Sequence, residues 1–378
     1  MLGLAQKRKL GLIVNPVAGM GGRVGLKGSD GQDILEKAME LGAVPTSPRR
    51  AVDALRIISS MKDVVEIITY PHEMGEDEAR ECGFEPKVIG SIEKGRTTAY
   101  DTLNAAREML DLGVDLILFA GGDGTARDIC EAVGLEVPVL GIPAGVKIHS
   151  GVFAINPATA GNLAVKYLKG EQTAIRESEV MDIDERAYRE DRLSARLYGY
   201  LRVPHEKTMV QGSKEGSGAQ EESSLEAIAK EITDNMLDDH LYIIGPGTTT
   251  RPIAEKLGLK KTLLGVDVIQ RGKMVAADVN ESRLLGLIEG VKAKIVVTVI
   301  GGQGFVFGRG NQQISPEVIR KVGKENIVIV ATPEKLVSLK GKPLLVDTGD
   351  VELDRELSGY YRVITGFGRR AVYRVGSK

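Results

Sequence analysis

The chain has 378 residues, of which 42% are hydrophobic and 27% are charged, an ordinary globular composition with enough apolar surface for more than one core. Its 50 lysines and arginines nearly balance its 52 aspartates and glutamates, and aromatic residues make up only 4%. The charge balance predicts no nucleic-acid-binding surface and no attraction to anionic membranes, and the scarcity of aromatic rings argues against base stacking.

The cysteines and the amino-terminal residues suggest where the protein works. Cys82 and Cys130 are too few for a disulfide framework and lack the spacing of a metal-binding pair. The stretch from Met1 to Lys9 lacks the apolar core of a signal peptide, and no apolar run approaches the roughly 18 residues needed to cross a bilayer. We therefore expect a cytoplasmic protein that acts on small molecules.

The first half of the sequence alternates short β-branched strands with amphipathic helices. This pattern is typical of a mostly parallel sheet with helices on both faces, so we predict an α/β, doubly wound, Rossmann-like domain over residues 1–178. The predicted strands are Leu10–Val14, Val64–Thr69, Lys87–Ile89, Val114–Phe119 and Val137–Gly141. The predicted helices are Gln32–Leu41, Val52–Met61, Thr97–Leu112 and Thr125–Val133.

Residues 121–125 read Gly-Gly-Asp-Gly-Thr and lie between a predicted strand and a predicted helix. The three glycines permit positive φ angles and expose backbone N–H groups, and the helix start adds partial positive charge, so phosphate is the predicted ligand. Asp123 lies within this turn, where phosphate chemistry needs an acid. An ordinary turn requires only one or two glycines and has no use for an acid between them.

Two further predicted strands also end in candidate site segments. Ligands gather at the carboxyl ends of parallel strands, which favours a site at Asn15-Pro16 and at residues 143–147, which include Gly145. A local turn around Asn15 is the alternative for the first segment. Lys147 and His149 could contact a phosphate, with a solvated lysine and a structural histidine as the alternatives.

The second half is predicted to form a mixed α/β domain over residues 179–378. It opens with antiparallel strands at Val180–Ile183 and Leu193–Val203. Residues 206–224, rich in Gly, Ser, Glu, Gln and Lys, are predicted to be a mobile surface loop, with a lid that orders on nucleotide as the alternative. Later strands are predicted within Asp239–Ile244 and at Ile295–Ile300, Ile327–Ala331, Leu344–Val346 and Arg370–Val375.

A second glycine-rich turn, Gly-Pro-Gly-Thr-Thr-Thr at 245–250, follows one of these strands. Hydroxyls and exposed N–H groups suit hydrogen bonds to ribose or phosphate, so Gly247, Thr248, Thr249 and Thr250 are predicted to bind substrate in a cleft between the domains. The alternative is a helix start with a threonine N-cap and Pro252 in the first turn.

Two polar residues near these turns are interpreted as helix caps rather than catalytic groups. Thr125 and Asp128 have the spacing of a capping box, in which the carboxylate would satisfy the first N–H groups of the helix. Asn280 can act as an N-cap in the same way. Asp128 and Asn280 are therefore not placed in the predicted catalytic machinery.

The glycine-rich segments resemble the ATP-NAD kinase-like family, in the superfamily that joins NAD kinases with diacylglycerol kinases. Residues 121–125 match the superfamily's GGDGT signature, residues 15–22 resemble its NPxxGxG opening, and residues 245–250 resemble the TPxGST segment of NAD kinases. Residues 146–151 are similar to a subgroup related to the acetoin-cluster protein AcoX. Asn280-Glu281 matches a dinucleotide-binding pair of NAD kinases but follows the TPxGST-like segment instead of preceding it.

This resemblance implies an enzyme that transfers a phosphoryl group from ATP or polyphosphate to a ribose hydroxyl of NAD, giving NADP, with magnesium and as a homo-oligomer. Asp123 would accept the hydroxyl proton or help to hold magnesium. The implied phosphate-binding residues are Asn15, Gly121, Gly122, Gly124, Thr125 and Gly145. The alternatives are a kinase for another small hydroxyl compound or a lipid, and a nucleotide-binding regulator without turnover.

Overall fold

The computed structural model describes residues 7–26, 32–146, 148–171, 173–183, 195–206, 219–300 and 303–376. These residues form two compact units. The first contains the described residues up to Met20 and those from 32 to 206, and the second contains residues 21–26 and those from 219 onward. No helix in the described ranges is both long and apolar enough to cross a membrane.

The first unit is built on a five-stranded parallel sheet. Its strands are β1 Arg8–Val14, β2 Val65–Thr69, β3 Lys87–Val88, β4 Leu116–Gly121 and β5 Val139–Pro143. The strand order is β3-β2-β1-β4-β5, so the direction of winding reverses between β1 and β4. Such a reversal opens a crevice at the carboxyl ends of the two strands, where α/β proteins bind ligands.

Within the described ranges the first unit has six helices: α1 Gln32–Glu40, α2 Ser47–Ile58, α3 Glu76–Glu81, α4 Ala99–Asp111, α5 Asp123–Val133 and α6 Pro157–Leu168. Single 3₁₀ turns lie at Ser59–Met61 and His72–Met74. Helices α2, α3 and α6 form one packed group and α4 and α5 another, which right-handed crossovers place on opposite faces. All residues of β4 are buried because both faces are covered, which explains its continuous apolar run.

The doubly wound, Rossmann-like prediction is confirmed, including its five strands and four helices to within a few residues at most ends. Helix α5 begins two residues before the predicted start, and α2 begins five residues earlier. Helices α3 and α6 were not predicted. The start of α6 carries a recognisable signal, since the Asn156 side chain accepts a hydrogen bond from the Thr159 backbone N–H at 2.8 Å.

An antiparallel hairpin follows, formed by β6 Ala174–Ile183 and β7 Ala195–His205. Its strands confirm the predicted antiparallel pair. They pack against α5 and β5, so the hairpin belongs to the first unit rather than opening the second. The predicted division into residues 1–178 and 179–378 therefore differs from the two units, because it cuts through the middle of β6.

The second unit contains a nine-stranded mixed sheet. Its strands are β8 Leu241–Ile244, β9 Asp267–Gln270, β10 Lys273–Ala276, β11 Ala293–Thr298, β12 Phe305–Phe307, β13 Ile327–Val330, β14 Leu344–Val346, β15 Gly359–Gly366 and β16 Arg369–Gly376. The order is β10-β9-β8-β11-β13-β15-β16-β14-β12. Strands β8, β11, β13 and β15 run parallel to their neighbours in this series, so their carboxyl ends meet at one edge. The prediction of a second, mixed α/β domain that contains antiparallel strands is confirmed.

The helices of the second unit are α7 Ala219–Asp234, α8 Arg251–Lys256, α9 Glu281–Leu287, α10 Pro316–Val322, α11 Pro333–Ser338 and α12 Val351–Leu357, with a 3₁₀ turn at Lys324–Asn326. Helix α7 corrects part of the predicted mobile loop at 206–224. Residues 219–224 form its first turns, while residues 207–218 lie outside the described ranges. The Glu and Gln residues that suggested a solvated loop also favour helix.

A buried acid in α3 makes the stability of the first unit depend on pH. Glu78 is only 5% exposed, and burial raises the pKa of its carboxyl from 4.5 to about 7, with a smaller contribution from the negative charge of Asp77. Below pH 4.5 both the folded and the unfolded chain hold this proton. Between pH 4.5 and 7 only the folded chain does, so the free energy of unfolding falls as the pH rises through this window.

We therefore predict that Glu78→Gln becomes more stable relative to the wild type as the pH rises from 5 to 8, by up to about 3 kcal/mol. Urea unfolding at several pH values measures the difference. The control is Glu85→Gln, since the Glu85 side chain is 95% exposed and should show no such trend. A stability difference between Glu78→Gln and the wild type that stays constant with pH would contradict the prediction.

Candidate active site

Three loops meet at the winding reversal of the first sheet: loop 1 (residues 15–20), loop 2 (121–125) and loop 3 (144–150). Asn15 joins the first two, because its backbone N–H donates to the Ala120 carbonyl at 3.0 Å and its side-chain amide donates to the Thr125 hydroxyl at 2.9 Å. The same side chain accepts from the Val17 N–H at 3.2 Å, which is the predicted local turn. Asn15 thus forms the turn and also links loop 1 to loop 2.

Loops 2 and 3 are held in direct backbone contact. The Gly121 carbonyl accepts hydrogen bonds from the N–H groups of Ala144 at 2.9 Å and Gly145 at 3.0 Å. A Cβ on Gly145 would lie 2.7 Å from the Gly122 Cα, and a Cβ on Gly121 would lie 2.4 Å from the Thr125 hydroxyl oxygen. Such distances exclude any side chain. Gly121 and Gly145 are therefore required by packing, whatever the loops bind.

Asp123 is the first residue of α5 and is only 8% exposed. Its two carboxylate oxygens accept hydrogen bonds from loop 3, one from the His149 backbone N–H at 2.8 Å and the other from the Ser150 N–H at 3.0 Å. Nδ1 of His149 lies 3.5 Å from Oδ2 of Asp123. The carboxylate therefore fixes loop 3 against the start of α5 through charge-assisted hydrogen bonds.

The capping box predicted for Thr125 and Asp128 is wrong. The N-cap of α5 is Gly122, so Thr125 already lies inside the helix and its hydroxyl accepts from Asn15 instead. Asp128 contacts the guanidinium of Arg127 at 3.4 Å. Among the described residues, no side chain makes a capping hydrogen bond at the start of α5. An eleven-residue helix with an uncapped start beside two glycines suits an anion.

The second turn, residues 245–250, lies at the end of β8 in the second unit. Gly247 has a φ of +121°, and a Cβ there would lie 3.1 Å from the Thr298 methyl group. The Thr250 hydroxyl donates to the Gly245 carbonyl at 2.7 Å, so it stabilises the turn itself. Thr250 directly precedes α8 but makes no side-chain cap, whereas Pro252 does lie in the first helical turn.

The three threonines of this turn differ in exposure and partners. Thr248 is exposed, while Thr249 and Thr250 are fully buried. Nζ of Lys335 donates to the Thr249 hydroxyl at 2.6 Å. Only the first threonine is therefore presented to solvent in this state.

A buried ion pair supports the segment beneath this turn. Nζ of Lys261 lies 3.2 Å from Oδ2 of Asp267, and neither side chain is exposed. Asp267 also accepts from the Thr262 backbone N–H and hydroxyl, both at 2.8 Å. Leu263 follows Thr262, and its backbone carbonyl accepts a hydrogen bond from the Gly247 N–H at 2.9 Å. This bond connects the ion pair to the turn.

Other residues singled out from the sequence have simpler roles or are not described. Asn280 caps α9 by accepting from the Arg283 N–H at 3.0 Å, which confirms the capping interpretation. Lys147 lies outside the described residues. Sequence reasoning missed Lys335 and Thr298, which meet the second turn only in the folded sheet. No cluster of three or more His, Cys, Asp or Glu suited to a metal ion occurs within the described ranges.

We predict that Gly145→Ala separates loops 2 and 3, since its Cβ would meet backbone that cannot rotate away. The expected cost is about 1 to 3 kcal/mol of unfolding free energy, together with weaker ADP binding. Gly151→Ala is the matched control, because the nearest atom to its Cβ lies 3.6 Å away. Urea unfolding and calorimetric titration with ADP measure both effects, and equal behaviour of the two variants would contradict the prediction.

Comparison with known proteins gives matches along most of the chain. The model of the ATP-NAD kinase N-terminal domain matches residues 10–172, and that of the ATP-NAD kinase C-terminal domain matches residues 237–375. No curated protein matches the chain.

Two solved structures described as "a putative diacylglycerol kinase from Bacillus anthracis str. Sterne" are 17% and 16% identical to it, each with a TM-score of 0.26. The matches cover 48% and 49% of this chain and 47% and 46% of the solved chains, so the chain spans about half the length of those proteins. The two domain models, one for each half, identify the chain as a member of the ATP-NAD kinase family.

Proposed function

We propose that the protein transfers the terminal phosphoryl group of ATP to a ribose hydroxyl of NAD, which yields ADP and NADP. The observation that carries this proposal is the position of Asp123, an acid at the uncapped start of α5 that directly follows Gly121 and Gly122, where loop 2 packs against the backbone of Gly145. The family match over both halves of the chain supports the reaction class.

The glycine loops fit the phosphates of a nucleotide. The N–H groups at the start of α5 carry partial positive charge, and Gly121, Gly122 and Gly124 leave the backbone accessible to phosphate oxygens. Loop 1 adds Asn15, whose amide is held by Thr125. Phosphoryl transfer depends mainly on such placement and on neutralisation of charge, so a cradle of backbone dipoles suits it.

Magnesium fits this site only as a partner of the nucleotide. Asp123 is the candidate protein ligand in loops 1 to 3, and Mg²⁺ is often held by one or two carboxylates together with substrate phosphates and water. When bound, the ion would neutralise charge that develops on the transferred phosphoryl group. The protein itself contributes the position of Asp123 and of the loops around it.

Asp123 has the capacity for either proposed role. Its bonds to His149 and Ser150 use one acceptor site on each oxygen, and a carboxylate offers about four such sites. The remaining sites can accept the proton of the ribose hydroxyl or contact magnesium. In either role the backbone of loop 3 orients the carboxylate before substrate binds.

A second candidate function is a nucleotide-binding regulator without turnover. The observation that favours it is the same pair of hydrogen bonds, because an acid that holds loop 3 in place already has a structural task. The two proposals differ in what they require of Asp123. A catalytic acid changes the rate, whereas a purely structural acid changes stability and nucleotide affinity.

The deciding experiment incubates the full chain with magnesium and either labelled ATP or polyphosphate. The acceptor panel comprises NAD, NADH, nucleosides, sugars and diacylglycerol. Transfer of label to NAD supports the proposal. Transfer to another compound in the panel identifies that compound, instead of NAD, as the substrate. ATP binding without transfer to any acceptor favours the regulator.

For Asp123→Asn we predict a fall in turnover of about 100- to 10,000-fold, the range expected for loss of a general base. The amide must turn an N–H group toward either His149 or Ser150, so a loss of about 1 to 3 kcal/mol in stability should accompany it. ADP affinity should stay close to that of the wild type. Kinetics, urea unfolding and calorimetry measure the three quantities.

Asp128→Asn, in the same helix, is the matched control and should retain turnover. If Asp123→Asn kept wild-type turnover, the catalytic assignment would be wrong. If its ADP affinity fell as far as its turnover, the role of Asp123 would be structural.

A further inference from the structure

The hairpin of β6 and β7 is bonded to loop 3 of the candidate active site. Strand β6 pairs with β7, and two of its backbone groups also reach loop 3 and the residue that follows it. The Met181 N–H donates to the Ser150 hydroxyl at 2.9 Å, and the Gly151 N–H donates to the Glu179 carbonyl at 2.8 Å. Glu179 and Met181 are two positions apart, so these two groups lie on the same side of the strand.

A β-bulge lies at the same place in the hairpin. Val180 pairs with Gly199 and Met181 pairs with Leu197, so Tyr198 is an extra residue on β7. Bulges bend a strand and increase its twist, and they are frequent beside active sites, where they redirect groups. The bend falls next to Met181, the residue whose N–H reaches loop 3.

Ser150 joins the hairpin to the carboxylate of Asp123. Its backbone N–H donates to one carboxylate oxygen at 3.0 Å, while its hydroxyl accepts from Met181. Ser150 is completely buried, so neither bond exchanges with bulk water. Loss of the hydroxyl would take away the acceptor that Met181 finds in loop 3. Ser150 thus connects the position of β6 with that of the carboxylate.

From these contacts we propose that Ser150 is a positioning residue, which sets the orientation of the Asp123 carboxylate by tying loop 3 to β6. The proposal rests on the proposed function and deepens it. Phosphoryl transfer depends on placement, and a displacement of about 1 Å can lower a rate by about 100-fold even when the mutated residue is far from the chemistry. The hydroxyl of Ser150 therefore affects turnover more than the binding of either substrate.

The variant Ser150→Ala keeps the backbone bond to Asp123 but removes the acceptor of Met181. We expect kcat for transfer to NAD to fall by about 10- to 100-fold, with the NAD KM and the ADP affinity within about twofold of the wild type. Amide hydrogen exchange, measured by mass spectrometry, should become faster at Met181 and also at His149, whose N–H donates to Asp123. Ser150→Cys fills the space of the serine with a weaker acceptor and repeats the test without a cavity.

A double-mutant cycle separates positioning from a general loss of stability. If Ser150 acts through the carboxylate, Ser150→Ala should change kcat by less than about twofold in the Asp123→Asn background. General damage to the fold would instead lower kcat by the same factor in both backgrounds.

Thr159→Val is the matched control, because the buried Thr159 hydroxyl also accepts a backbone N–H, from Asn156 at 2.9 Å in the first turn of α6. It should keep the wild-type kcat and the wild-type exchange at His149. Circular dichroism melting checks that each variant is folded.

The proposal is overturned if folded Ser150→Ala keeps the wild-type kcat, if its effect is equal in both backgrounds, or if exchange at His149 stays unchanged. Absence of transfer by the wild-type chain would reject the proposed function instead. Faster exchange at His149 in Ser150→Ala would then still support the link between β6 and Asp123, and unchanged exchange would reject that link as well.

Discussion

The contact between the backbones of Gly122 and Gly145 is the constraint on which the first unit's loops depend. With a Cβ of Gly145 only 2.7 Å from the Gly122 Cα, neither loop can carry a side chain at that point. The contact brings loop 3 close enough for its N–H groups to reach Asp123, and this carboxylate then fixes loop 3 to α5. In the proposed reaction, chemistry and packing would use the same few atoms, so a change made for one would affect the other.

The sequence was sufficient to predict the five-stranded sheet of the first unit, because that sheet is buried on both faces. Strands such as β4 then appear as uninterrupted apolar runs, and the glycines that end them are easy to recognise. Prediction failed where a local signal had two solutions. Thr125 and Asp128 have capping-box spacing, but the chain begins α5 at Asp123, because Gly122 adopts the extended cap conformation and Thr125 is held by Asn15.

The second unit was harder to predict, since its strands are short and its important contacts join distant residues. Strand β15 is half exposed and was missed, although Gly368 at a φ of +63° marks the turn to β16. Lys335 meets Thr249 across 86 positions of sequence, and only the parallel pairing of β8, β11 and β13 brings them together. No spacing rule within one segment can find such a pair.

The buried pair of Lys261 and Asp267 has a consequence for how this chain can evolve. Both charges are withdrawn from water, so replacing either one alone leaves the other without its counter-charge, at a cost of about 3 to 5 kcal/mol. That is a large share of the 5 to 15 kcal/mol by which an average domain is stable. The two positions therefore form one mutational unit. Related chains should either keep both residues or exchange both together for an apolar pair.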